Sequence, residues 1–414
     1  MTAAARRFAG IAAKSSHDVV ILSALRTPIC RAYKGRLRNA YPEELLTAVL
    51  CATAKQVDGL DPASIEDVAV GTVLSELGGS KAARAGLNSI EGFDATSTSL
   101  YAVNRACASS LQSISTISGH IRDGTISVGI SAGMESMTMN YASRAIPQQA
   151  WPALKDSRVK QARDCFMPMG LTSEKVARRY GVTRRDQDTM AAESHRRAVA
   201  AAETGKFKDE IVPFTVLQWN SGVEQEVTVL VDDGPRPDVS LDGLARLKPS
   251  FAEDGRSTAD NSSQISDGAA ALLLMRRQSA VDLGLASSIM DRFLGGSVQG
   301  CEPEEMGVGP VKATAALLQR FRLTATDVDA WEINGAFASQ FLYCVRELGL
   351  EKALEVGKVN PHGGAIALGH PLGATGARLV TTFLHSMKRS DSEVGIVSMC
   401  VGTGMGMSGL FVRE

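Results

Sequence analysis

The stretch Ala102-Val-Asn-Arg-Ala-Cys-Ala-Ser-Ser-Leu-Gln-Ser-Ile114 decides the fold, because an apolar strand in it runs into a helix that begins near Cys107. Strands and helices alternate on both sides of this stretch. They are a buried strand at 18–24, an apolar-periodic helix at 42–55, and short strands at 68–73 and 127–133. This alternation predicts an α/β layer with a mostly parallel sheet.

The pattern of the sequence changes between about Asn140 and Asn261, where polar helices replace the strand–helix alternation. Polar helices are predicted at 173–180 and 185–203, and Gly-Pro-Arg-Pro at 234–237 interrupts them. The α/β alternation then resumes, with an apolar run at 269–275, strands at 328–333 and 394–399, and a glycine-rich turn into a helix around His370. We therefore predict two similar halves around one inserted loop domain. The N-terminal half spans 18–139 and is completed by about 262–284. The loop domain spans 140–261, and the C-terminal half spans 285–414.

The composition limits the classes of partner. The chain has 414 residues, 44% of them apolar and 21% charged, with a formal charge of −1. No apolar run is long enough to cross a bilayer, and the scattered basic residues argue against nucleic acid or an anionic membrane as the main partner. The seven cysteines contain no Cys-x-x-Cys pair, and no histidine pair has metal-site spacing. His120 and His195 lie in polar helical stretches and are expected to face solvent.

Residues 1–17 suggest a targeting segment. They are rich in Ala and Ser, contain Arg6 and Arg7, and have no acidic residue, which is typical of a mitochondrial transit peptide. A disordered N-terminus without a targeting role has the same composition. The last three residues, Val-Arg-Glu, are not a peroxisomal address. The sequence therefore predicts the mitochondrial matrix, with a peroxisome-type organelle as the alternative.

Three residues are candidates for chemistry. Cys107 lies where a strand gives way to a helix, and a helix N-terminus is expected to stabilise its thiolate and lower its pKa. A free cysteine is more often a small buried hydrophobe, so this position alone does not identify a nucleophile. His370 lies in a glycine-rich turn, where it could act as a base or cap the turn. Cys400 opens Cys400-Val-Gly-Thr-Gly404, a loop able to present N–H groups to an oxyanion.

Together these motifs resemble the thiolase family, specifically its peroxisomal-type 3-ketoacyl-CoA branch. The resemblance covers nearly the whole chain after residue 17. It is carried by four motifs in order: Asn104-Arg-Ala-Cys107, Met134-Glu-Ser-Met137, Gly369-His-Pro371 and Cys400-Val-Gly-Thr-Gly404. It implies a five-layer αβαβα core of two similar halves with an inserted loop domain. The implied activity is cleavage of 3-ketoacyl-CoA by coenzyme A in fatty acid β-oxidation.

The resemblance also implies roles for individual residues. Cys107 would be the nucleophile, His370 its base, and Cys400 the acid and base for the α-carbon. Asn334 would hold a water that forms one oxyanion hole with His370, and the N–H groups of Cys107 and Gly402 would form the other. No permanently bound cofactor or metal is implied, and coenzyme A is a co-substrate. Relatives of this kind assemble as homodimers or as tetramers.

Four more residues match positions expected near coenzyme A, namely Arg236, Ser263, Met169 and Phe337. Arg236 could equally be an ordinary solvated charge, and Met169 and Phe337 could be ordinary core residues.

The sequence departs from the family pattern at three positions near the chemistry. Gly335 replaces a glutamate beside Asn334, Ser110 replaces a glycine after the nucleophile, and Asp260 replaces a glycine where coenzyme A is expected. These departures leave open a thiolase-like acyl-CoA binding protein with weak or altered activity. A biosynthetic thiolase that forms acetoacetyl-CoA is a second alternative. A papain-type Cys-His-Asn hydrolase is disfavoured by the second cysteine.

Overall fold

A computed structural model describes residues 11, 13–147, 149–220 and 223–414. Arg6 and Arg7, which support the predicted targeting segment, lie outside the described residues. The strands are β1 (Val19–Arg26), β2 (Cys30–Arg31), β3 (Asp67–Gly71), β4 (Ser99–Val103), β5 (Val128–Ser136), β6 (Phe214–Asn220), β7 (Val223–Val229), β8 (Ser266–Arg276), β9 (Asp291–Gly300), β10 (Ala330–Ile333), β11 (Val394–Val401) and β12 (Met405–Arg413).

The α-helices surround these strands and connect them. They are α1 (Pro42–Lys55), α2 (Ser80–Asn88), α3 (Ser109–Asp123), α4 (Met137–Arg144), α5 (Pro152–Lys155), α6 (Lys160–Asp164), α7 (Met169–Arg179), α8 (Arg184–Glu203), α9 (Leu241–Ala245), α10 (Arg277–Asp282), α11 (Gly309–Phe321), α12 (Ala338–Glu347), α13 (Glu351–Glu355), α14 (Ala365–Leu368) and α15 (Thr375–Ser390). Among the described residues, no helix combines the length and the apolar character needed to cross a membrane.

The large sheet consists of two halves with the same strand order. Its path is β10-β11-β12-β9-β1-β8-β5-β3-β4, with β2 paired to β8. In the N-terminal half, β4 lies parallel to β3 at one edge. In the C-terminal half, a parallel bridge between Trp331 and Val359 occupies the corresponding place beside β10. The halves meet where β1 pairs with β9.

The predicted mostly parallel sheet is wrong. Among the strands that the structure describes, β3–β4, β3–β5 and β10–β11 pair in parallel, whereas β8 runs antiparallel to both β1 and β5, and β12 runs antiparallel to both β9 and β11. More than a hundred residues separate β5 from β8, so the connection does not fix the direction of β8. Strand periodicity carries no information about that direction either. The apolar run noted at 269–275 lies within β8.

The two half-sheets and the helices on their faces form five layers, which three apolar clusters hold together. Helix α1 covers the outer face of the N-terminal half, where Leu46 and Val70 belong to one apolar cluster. Helices α3 and α15 lie between the halves, and their cluster contains Ile114, Phe383 and residues of both half-sheets. Helices α11 and α12 cover the outer face of the C-terminal half through residues such as Phe341. The elements that follow Cys107 and His370 therefore share the central layer.

The segment between β5 and β8 contains α4 to α9 and the β6–β7 hairpin. Helix α8 begins with a capping box in which the Thr183 side chain and the Asp186 carboxylate satisfy each other's backbone N–H groups. The sequence predicted the polar helices here but not the hairpin. One strand of that hairpin buries Phe214 and Val216 in the same cluster as α1.

Candidate active site

A strained turn presents Cys107 between β4 and α3. Ala106 has φ 43°, a left-handed conformation that costs a non-glycine residue about 1 to 2 kcal/mol. Two side chains hold this turn: Asn104 Oδ1 accepts from Ala106 N at 3.0 Å, and Ser109 Oγ donates to Ala106 O at 2.6 Å. The turn fixes Cys107 just before α3, and its side chain is buried.

The structure contradicts the expected direction of the Cys107 pKa. Burial raises the pKa of the Cys107 thiol to about 11, although the N–H groups of Gly402 and of Cys107 itself favour the thiolate. Desolvation in a closed site therefore outweighs the helix N-terminus. At neutral pH Cys107 is a thiol, and it needs a base to become a nucleophile.

His370 is a buried, neutral imidazole. Burial, with a smaller contribution from Arg378, lowers the pKa of His370 to about 3. Its Nδ1 lies 2.6 Å from Thr375 Oγ1. Because Thr375 donates its single hydroxyl hydrogen to Pro371 O at 2.8 Å, the Nδ1–H of His370 must donate to Thr375. The Nε2 atom is therefore unprotonated and carries the lone pair of a base.

Asn334 lies beside that lone pair. Its Nδ2 is 3.4 Å from His370 Nε2, which fits an amide N–H that donates to an unprotonated nitrogen. The backbone N–H of Asn334 donates to Ser398 O of β11 at 2.8 Å, so the end of β10 fixes its position. The Asn334 Oδ1 is buried, and the part of the chain that the structure describes offers it no hydrogen-bond partner.

Cys400 and Gly402 complete the site from the end of β11. Cys400 is fully buried. Burial raises its pKa well above the usual range, and the neighbouring Cys107 raises it further. Gly402 lies against both the turn at Ala106 and the start of α7, because a Cβ there would be 3.6 Å from Ala106 Cβ and 3.7 Å from Met169 Sδ. Cys107, Cys400 and Gly402 thus come together, as do His370 and Asn334.

Three of the four residues predicted near coenzyme A lie around Cys400. Met169 and Phe337 pack in one apolar cluster with Cys400. Ser263 N donates to Ala336 O at 2.9 Å, which places it next to Phe337.

Arg236 has different partners. Its guanidinium pairs with Asp260 at 3.0 Å, and its backbone N–H donates to His195 Nδ1 at 3.2 Å. It also lines a cleft of about 570 Å³ between α8 and residues 236–241, whose lining does not include Cys107 or His370. The prediction that His195 faces solvent is wrong, because it is buried beneath this segment.

Sequence reasoning gave no role to Glu135, although it lies in a quoted motif. Its side chain is buried and accepts from the N–H groups of Val73, Leu74 and Gly373 at 2.9 to 3.2 Å. Burial raises the pKa of Glu135 to about 7, against the effect of those three donors. Glu135 ties the end of β5 to the loop that carries His370. A carboxylate in a strand that otherwise contains no ionisable residue was the available signal.

Two cysteines, a neutral histidine and an asparagine in this five-layer fold define a thiolase, an acyltransferase. The sequence matches the thiolase N-terminal domain over residues 19–278 and the thiolase C-terminal domain over residues 288–413. The chain belongs to the thiolase family.

Individual relatives cover almost its whole length. It is 46% identical to 3-ketoacyl-CoA thiolase 1, peroxisomal, of Arabidopsis thaliana, over 96% of this chain and 88% of the relative. It is 45% identical to the human 3-ketoacyl-CoA thiolase, peroxisomal, over 99% and 94%. The crystal structure of the dimeric peroxisomal thiolase of Saccharomyces cerevisiae superposes with a TM-score of 0.90 at 38% identity, over 98% of this chain and 100% of that chain.

These relatives correct the predicted compartment. Each is named as peroxisomal, so the mitochondrial matrix, inferred from the composition of the first residues, is wrong. Alanine, serine and arginine without acidic residues form a weak compositional signal, and it misled here.

Proposed function

We propose that this enzyme cleaves 3-ketoacyl-CoA with free coenzyme A, releasing acetyl-CoA and a shortened acyl-CoA in fatty acid β-oxidation. The proposal rests on two neighbouring buried thiols, Cys107 and Cys400, and on a neutral His370 whose Nε2 carries no proton. One thiol can attack a carbonyl while the other supplies a proton to carbon. A single cysteine with a histidine would suffice for hydrolysis but not for both tasks.

The first half-reaction forms the acyl-enzyme. His370 Nε2 takes the proton of the Cys107 thiol, and Sγ attacks the C3 carbonyl of the substrate. The C2–C3 bond then breaks, its electron pair goes to C2 as the enolate of acetyl-CoA, and the Cys400 thiol protonates C2. This role suits Cys400, since its raised pKa keeps it protonated at rest. Acetyl-CoA leaves, and the acyl group remains as a thioester on Cys107.

The second half-reaction releases the product. The Cys400 thiolate takes the proton of the coenzyme A thiol, whose sulfur attacks the thioester. Collapse of the tetrahedral intermediate expels the Cys107 thiolate, which recovers its proton from His370, and acyl-CoA leaves. We assign the developing oxyanions to two sets of donors, the N–H groups of Cys107 and Gly402, and His370 with a water held by Asn334. The unpartnered Asn334 Oδ1 suits the water predicted beside it.

The remaining parts of the proposal follow the sequence predictions. Residues 140–261 act as one loop domain over the core halves, and Met169, Ser263 and Phe337 line the path of pantetheine to Cys400. Arg236 meets the nucleotide of coenzyme A, which serves as a co-substrate with no permanently bound cofactor. The enzyme works as a homodimer in a peroxisome-type organelle, in keeping with the dimeric yeast relative.

The test is the loss of 3-ketoacyl-CoA absorbance on addition of coenzyme A. Acetoacetyl-CoA and a long-chain substrate are compared, with Cys107→Ala as the control. We expect activity that requires coenzyme A and disappears in the control. Coenzyme A binding without turnover would instead favour the acyl-CoA binding protein. Release of free acid without coenzyme A would favour a hydrolase.

A further inference from the structure

Ser110 lies where elements of both halves meet. It is the second residue of α3, and its side chain is fully buried. A Cβ on Gly133 of β5 would lie 2.7 Å from Ser110 Cβ, and a Cβ on Gly71 of β3 would lie 2.4 Å from Ser110 N. Both strands therefore present glycine where α3 approaches them. The serine that departs from the family pattern is accommodated inside the N-terminal half.

The hydroxyl of Ser110 reaches the other half. Helix α15 has no cap of its own, because the side chain of its N-cap residue, Ala374, accepts no hydrogen bond. Instead, Ser110 Oγ accepts from Ala377 N at 2.8 Å. Ala377 is the third residue of α15, and the first N–H groups of a helix have no partner within it. Serine normally satisfies such a donor as the N-cap residue of the same helix, whereas here it does so from α3.

We propose that Ser110 is a positioning residue that holds His370 against Cys107 by capping α15 from α3. This rests on the proposed function. Cys107 immediately precedes the N-cap residue of α3. Thr375, the first residue of α15, holds the His370 ring by accepting a hydrogen bond from His370 Nδ1–H. The bond from Ala377 to Ser110 thus joins the first turns of the two helices that follow the nucleophile and the base in the chain. In relatives with glycine at this position, this bond cannot form.

The variant Ser110→Ala removes the acceptor and keeps the Cβ. Ser113→Ala is the matched control, since Ser113 is equally buried on α3, but its hydroxyl bonds Ser110 O and Ala132 O within the N-terminal half. We expect the kcat of thiolysis to fall about tenfold in Ser110→Ala with an unchanged KM, because small displacements of reacting groups cost up to about 10²-fold. Ser113→Ala is expected to keep the wild-type kcat. Equal kcat values in all three proteins would overturn the proposal.

A second measurement does not depend on turnover. The rate at which iodoacetamide alkylates Cys107 is followed from pH 7 to pH 10 by mass spectrometry of the peptide that contains it. We expect Ser110→Ala to react more slowly than wild type near pH 7, where His370 must assist the thiol, and to converge with it at high pH. If wild type shows no thiolysis, the proposed function fails, and this profile still decides the role of Ser110. Superimposable profiles would refute it.

Ser110→Gly covers the case in which Ser110→Ala does not fold. Glycine is the residue of the family pattern at this position, and it removes the same acceptor. We expect the same loss of kcat and the same slow alkylation near pH 7. A Ser110→Gly enzyme with the wild-type kcat and the wild-type alkylation profile would overturn the proposal.

Discussion

Replacing Thr375 with valine should disable His370 without disturbing substrate binding. Valine has nearly the shape of threonine but cannot accept the Nδ1–H bond, which is 2.6 Å long in the structure. A buried N–H left without a partner costs about 1 to 3 kcal/mol. At 1.4 kcal/mol per factor of ten, that cost shifts the tautomer ratio by roughly 5- to 150-fold. We therefore expect kcat to fall on the order of 10- to 100-fold with little change in KM.

The assay is steady-state thiolysis of acetoacetyl-CoA, combined with ¹⁵N chemical shifts that report which ring nitrogen of His370 carries the proton. Thr375→Ser is the matched control, because it keeps the hydroxyl and loses only a methyl group. It should retain most of the kcat and the Nδ1–H tautomer. A valine variant as active as the serine variant would refute the tautomer assignment. So would an equal loss in both, since that would point to packing and not to the hydrogen bond.

Three further predictions concern the turn after β10, the loop domain and the nucleophile. Gly335→Ala should fold and keep its activity, because a Cβ there meets only side chains at 3.7 Å or more. Gly373→Ala, by contrast, should lower the melting temperature, because its Cβ would lie 2.4 Å from the backbone Cα of Thr72. Asp260→Gly should lower the KM for coenzyme A at low ionic strength by freeing Arg236, and an unchanged KM would remove Arg236 from the nucleotide site. Alkylation of Cys107 should accelerate with pH up to about 11, and a plateau near pH 7 would mean that burial does not control its pKa.

Local patterns predicted the elements that carry the site. Helix α1 has the predicted bounds, 42–55, because apolar spacing, Pro42 at its start and acidic residues in its first turn all agree. The strand that leads to Cys400 and the turn before α15 were also predicted, since each depends on neighbours in sequence. The β6–β7 hairpin was not predicted, because its buried face forms only when it packs against the distant α1 cluster.

The electrostatics of the site could not be predicted locally. The sequence suggested a lowered pKa for Cys107 from the adjacent helix, but the desolvation that raises it comes from a site closed by both halves. The tautomer of His370 depends on a hydroxyl five residues away whose own hydrogen is bonded to Pro371. The effect of Ser110 depends on an N–H that is 267 residues distant in the chain.

The position of β8 between β1 and β5 has a consequence for biosynthesis. Both of those strands emerge from the ribosome long before Ser266, and neither can bury its edge against β8 until then. At roughly 5 to 20 residues per second, translation of the intervening segment takes on the order of 10 s. For that time the nascent chain carries two apolar strands with open edges, and such edges invite aggregation. The half that contains Cys107 therefore completes its sheet late in translation, and chaperone binding to the exposed strands would protect it most before β8 emerges.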